Sequence, residues 1–177
     1  MDHKRHYLRF AAMIATSMIV MYALMYLNTY ALQHVRWSET RLYMTLIMGA
    51  GMAIVMLAYM WGMYRNLTAN LAIIAGSIGA LVLALWLVRS QATVDDRDYM
   101  EAMIPHHSIA ILTSENAAID DVRVRELADE IVRAQRREIS EMEWLIDDIR
   151  AYGPAMTETA AAQRPVPQFQ AHLDAPD

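Results

Sequence analysis

Three long apolar runs occupy residues 7–32, 42–64 and 71–88, with charged side chains confined to their ends. A helix needs about 20 residues to cross the hydrocarbon layer, so each run is read as a membrane span, the third at the short end of the range. Tyr7, Phe10, Tyr30, Trp37, Tyr43, Trp61, Tyr64 and Trp86 fall near the ends of these runs. Amphipathic rings settle at headgroup level, which supports the same reading. Beyond Val94 the pattern changes to mixed polar and apolar positions at helical spacing. A helix capped by Thr93 or Asp95 is expected, kinked or broken at Pro105, and continuing to about Ala118. A turn at Ile119-Asp120-Asp121 then leads into a second helix ending at Tyr152, with Gly153-Pro154 as the stop. The inward stripe of that helix reads Val124, Leu127, Ile131, Gln135, Glu138, Met142, Leu145, Ile149 and Tyr152.

The fold class expected from this pattern is all-α. Residues 1–92 form a membrane region, 93–153 an extracytoplasmic helical hairpin, and 154–177 a flexible or weakly docked tail, with Phe169 as its anchor. Two helices enclose little core, so a homo-oligomer that completes a four-helix bundle is expected.

Charge sharpens the division. Seven Lys and Arg against two acids precede Val94, while eight face eighteen acids after it, giving +5 and −10. The acidic half argues against nucleic acid as a partner and leaves membrane lipid, other membrane proteins and cations. Lys4, Arg5 and Arg9 precede the first run, which is longer than a signal core and is read as retained. Their cluster places the amino terminus on the cytoplasmic side and the acidic half outside. No charged residue lies in the middle of a run, so a transporter formed by this chain alone is not expected. Met44, Met48, Met52, Met56 and Met60 recur every four residues in the second run. Flexible apolar packing is the favoured reading over a thioether track for a soft cation.

Candidate chemistry concentrates in Met103-Ile104-Pro105-His106-His107, facing Gln135, Glu138 and Met142 on the second helix. Imidazole with thioether favours Cu(I), and a carboxylate widens the choice to other transition metals. Adjacent histidines diverge by about 100 degrees on a helix, so both need not reach one ion. A buried Glu138 needs a histidinium, an arginine, a proton or a metal beside it. The chain has no cysteine, so thiolate ligands are excluded. Met103 rather than glutamate stands three residues before His106, which makes a diiron oxidoreductase the weaker alternative. Phosphate loops, nucleophile elbows and zinc-protease motifs are absent from the sequence.

The run from Asp98 to His107, with Leu127-Ala128-Asp129-Glu130-Ile131, Gln135-Arg136-Arg137-Glu138-Ile139 and Met142-Glu143-Trp144-Leu145, resembles the bacterial family called domain of unknown function 305. The resemblance covers residues 95–150 through the motif Met-Ile-x-His-His and a downstream Gln-x-x-Glu-Ile-x-x-Met. It implies a small ferritin-like helical fold, usually outside the cytoplasm, and copper or silver handling in some members. Carried over residue by residue, it marks Asp98, Met103, His106, His107, Gln135, Glu138 and Met142. Methionines that often follow the histidine pair in such members are replaced here by Ile109 and Thr113. The expected function is a transition-metal-binding or buffering module with copper as the ion, anchored in a bacterial inner or cytoplasmic membrane. His106, His107, Met103, Glu138 and Met142 would be its ligands, and Asp98 and Gln135 the surrounding polar seam. The alternative is a non-metal structural or sensory membrane module, with the same residues forming an interhelical polar network.

Overall fold

A computed structural model describes residues 2–170. Its elements are α1 (Asp2–Leu24), a 3-10 turn (Leu32–His34), α2 (Glu39–Tyr59), α3 (Leu67–Ser90), α4 (Asp96–Asn116), α5 (Val122–Tyr152) and α6 (Glu158–Gln163). Among the described residues there is no strand, as the all-α expectation requires. The chain divides into two compact units, and the division is not linear in sequence. One contains the chain up to Leu27 and Glu39–Thr93; the other contains Asn28–Ser38 and the chain from Val94 onward. The linker between the first two apolar runs thus groups with the hairpin.

In the first unit α1 and α3 both pack on α2. Lys4–Leu24, Glu39–Tyr59 and Leu67–Ser90 are each long and apolar enough to cross a membrane, and most of their surface is left open for lipid. Helix α1 stops short of the expected residue 32. Beyond Leu24 the chain turns, and Arg41 donates to the carbonyl of Met25 at 2.8 Å while its guanidinium lies 4.1 Å from the Tyr26 ring centroid. An arginine that satisfies a terminal carbonyl ends a helix without any break in apolar composition. Phe10, Ala53, Leu57 and Tyr64 form the buried cluster, and Met56 and Met60 of the methionine series pack against it. Gly49 brings α2 close to α1, because a Cβ there would collide with the Met18 side chain. Asn66 caps α3 by accepting the Ala69 N–H at 3.1 Å, so the helix begins at Leu67, about four residues before the expected start of that run.

In the second unit α4 and α5 form the expected hairpin. Asp95 caps α4 in a reciprocal box with Asp98: the Asp98 N–H donates to Asp95 at 2.9 Å and the Asp95 N–H to Asp98 at 3.4 Å. Pro105 does not break α4, which is assigned as one helix through it. The proline ring is fully buried, and its packing compensates for the backbone bond that its missing N–H cannot make. The core joins Met100, Ile104 and Ile111 of α4 to Val132, Ile139, Met142 and Ile146 of α5.

The buried line of α5 differs from the expected stripe. Ala128, Val132, Arg136, Ile139, Met142 and Ile146 are buried, whereas Val124 and Leu127 are 49% and 55% exposed and Gln135 and Glu138 only half-buried. Both lines follow 3-4 spacing and share Met142, so periodicity alone does not separate them. The buried line puts an arginine inside, which a stripe read from apolarity passes over. After Gly153, whose φ of 76° ends α5 in a conformation glycine adopts freely, the tail turns back. Arg164 fastens it, 2.6 Å from Asp148 and 3.1 Å from the Gly153 carbonyl. Phe169, half-buried, shares a surface hollow with Glu130, Arg133, Ala134 and Arg137, in keeping with its expected role as anchor.

Candidate functional site: a polar seam in the helical hairpin

Helix α4 carries its chemistry in two adjacent positions that point to different partners. His107 faces α5, where its Nε2 lies 3.0 Å from Glu138 Oε2. Its Nδ1 lies 2.8 Å from the Met103 carbonyl oxygen one turn earlier. A carbonyl can only accept, so Nδ1 carries hydrogen. An ionised Glu138 also only accepts, which requires hydrogen on Nε2 as well; otherwise a protonated carboxyl donates to a neutral ring. Both ring nitrogens thus lie within 3.0 Å of an oxygen, and the half-buried carboxylate has an imidazole beside it.

Ser108, fully buried, meets the linker. Its hydroxyl oxygen accepts the Tyr30 backbone N–H at 2.7 Å and lies 2.9 Å from Nδ1 of His34, which is 4% exposed. The 3-10 turn at Leu32–His34 delivers that imidazole. Tyr30 is held a second time through its ring: Arg136 Nη2 donates to the phenol oxygen at 3.3 Å, with the guanidinium 5.7 Å from the ring centroid. The same Nη2 donates to Glu115 at 2.9 Å, pairing a guanidinium that is 8% exposed. Farther along the linker, Arg36 reaches Glu143 at 3.0 Å. The linker is therefore bonded to both helices of the hairpin.

Of the residues singled out in the sequence, the structure joins His107, Glu138 and the backbone of Met103. Met103 packs its side chain against the core, and Met142 lies within it. His106 is exposed, and its ring stands 6.3 Å from that of His107 with the two ring planes at 86°. Gln135 is half-buried, and Asp98 serves the capping box at the far end of α4. Tyr30, His34 and Arg136 were not marked as site residues by the sequence. The one available signal was a linker with His34 and Arg36 between two apolar runs, but spacing does not reveal where a linker packs.

Among the described residues no group of three or more His, Cys, Asp or Glu side chains converges, and His107 and Glu138 are the two expected ligands of these types that the structure brings together.

The family model for the domain of unknown function 305 matches residues 85–146, from the end of α3 through most of α5. An uncharacterized protein of Acanthamoeba polyphaga mimivirus is 33% identical over 144 residues, covering 77% of this chain and 93% of that protein. No solved structure matches the chain. The alignment with the viral protein extends well beyond the hairpin, so the chain belongs to the same family as that protein and carries a domain of unknown function 305 on its polar seam.

Proposed function

We propose that the protein is a non-metal structural or sensory membrane module, in which three spanning helices carry a hairpin whose polar network holds the linker between the first two spans. The observation that carries this reading is the buried Ser108 hydroxyl, shared by the Tyr30 amide and the His34 imidazole. Three crossings put that linker and the hairpin on the same side of a membrane, and their common packing supports the count. Buried, satisfied polar networks favour one arrangement of helices over its neighbours, which suits a module that must hold or report a conformation. Exposed Val124 and Leu127 on α5 support a second copy as the partner that completes a four-helix bundle.

A second reading retains copper. An ion would have to enter between His107 and Glu138 and draw further ligands from another copy, with the exposed His106 as one of them. Titration of the full-length protein with Cu(I), Cu(II) and Zn(II), with metal analysis of wild type and His106→Ala/His107→Ala, separates the two. Negligible binding by both proteins supports the network reading. Stoichiometric binding that the double variant loses would overturn it in favour of the metal.

A further inference from the structure

We infer that the first unit holds an anionic phospholipid, with one acyl chain in the groove between α1 and α3 and its phosphate at Lys4 and Arg65. The inference rests on this unit spanning a membrane and is independent of the polar seam. Helices α1 and α3 both pack on α2, and the trough left between them is about 590 Å³, bounded by Tyr7 to Met18 on α1, Ala69 to Ile73 on α3, and Ala53 beneath. Its walls are almost wholly apolar and its side is open to the bilayer. From Tyr7 to Met18 the trough runs roughly 16 Å at 1.5 Å per helical residue. Half of a hydrocarbon core of about 30 Å is nearly the same length, so the trough has the depth of one leaflet.

The Tyr7 end is marked as the headgroup end. There the Tyr7 hydroxyl donates to Asn70 Oδ1 at 2.7 Å, and Asn70 Nδ2 donates to the Tyr64 carbonyl at 2.7 Å, closing the trough with polar groups. Lys4 stands one turn before Tyr7, within about 50 degrees of the centre of the trough-facing side of α1. Arg65 directly precedes the Asn66 cap of α3. Lys4 and Arg65 are exposed, and neither forms an ion pair among the described residues. No acid occurs between Asp2 and Glu39 or between Glu39 and Asp95, and Glu39 bonds Thr93 at the other end of the unit. An apolar slot one leaflet deep below two exposed cations is complementary to a phosphate on an acyl chain. A helix from a second copy would fill the slot but leave those charges unmatched.

Native mass spectrometry of the full-length protein with added phosphatidylglycerol or phosphatidylcholine tests this. Wild type should retain phosphatidylglycerol in preference to phosphatidylcholine. Lys4→Gln/Arg65→Gln should lower that preference by about 30-fold, the factor for two basic contacts near an anionic surface. Arg5→Gln/Arg9→Gln removes the same charge from the other side of α1 and should cost less. Ala15→Phe, which plugs the trough from an exposed position, should reduce retention of phosphatidylglycerol at unchanged helicity. Equal retention of the two lipids, equal losses in the two charge variants, or loss of a dimer rather than of lipid in Ala15→Phe would each overturn the inference.

Discussion

The Ser108 hydroxyl oxygen accepts the backbone N–H of Tyr30 at 2.7 Å, joining residues 78 positions apart. One small side chain in α4 thus holds the linker by its main chain. Ser108→Ala removes this acceptor from the part-buried Tyr30 amide and the bond to His34 Nδ1. The expected cost is about 1–3 kcal/mol, the desolvation penalty of a buried group deprived of its partner. Thermal unfolding of the full-length protein measures it, and a change within a few tenths of a kcal/mol would remove Ser108 from the network.

The 3.0 Å contact between His107 and Glu138 should appear as pairwise coupling. A cycle through His107→Ala and Glu138→Ala is expected to show an interaction of about 0.5–1.5 kcal/mol, at the lower end because the Glu138 side chain is 39% exposed. Added salt should reduce it. Additive single variants would mean that the contact contributes nothing.

Glu115→Ala strips a carboxylate from a guanidinium that is 8% exposed, but Glu115 itself is 30% exposed. The loss should therefore be about 1–3 kcal/mol, below the 3–5 kcal/mol seen when a fully buried pair is broken. Adding Arg136→Met should recover part of it, since a buried apolar chain needs no partner. An additive further loss in the double variant would show that Arg136 is held by other contacts.

The hairpin was legible in the sequence to within a few residues, because Asp95, Asp121 and Gly153 are strong local boundary signals and act here as such. The spans were equally plain, since about twenty apolar residues in a row have few other readings. Two features were not legible. The face of α5 that turns inward depends on Ala128 permitting close approach and on Arg136 finding Glu115, and both are tertiary facts that no 3-4 pattern encodes. The packing of Asn28–Ser38 on the hairpin is set by contacts with residues more than 70 positions away. The sequence marked His107 and Glu138, and the structure brings them within 3.0 Å of each other across the hairpin.

Acid should weaken the helix starts. The Asp98 N–H, then that of Arg97 and the other contacts at this cap, hold the Asp95 carboxyl below the ordinary aspartate value of 3.8, and the Arg123 side chain and N–H do so for Asp121. A depressed folded-state value means that the stabilisation is fully present above 3.8 and is lost as pH falls through the lower folded-state value. Thermal midpoints measured across that window should fall more in wild type than in Asp95→Asn/Asp121→Asn, whose caps do not titrate. Equal falls would assign the acid sensitivity to other carboxylates.

Hydrogen exchange at the Tyr30 amide, measured on the full-length protein in lipid nanodiscs, reports most directly on whether a linker between two membrane spans is held by the hairpin. The amide should be protected to a degree comparable with the core of α4 in wild type, and should exchange at the rate of an open loop in Ser108→Ala while the α4 and α5 amides stay protected. Rapid exchange of the Tyr30 amide in wild type would contradict the account.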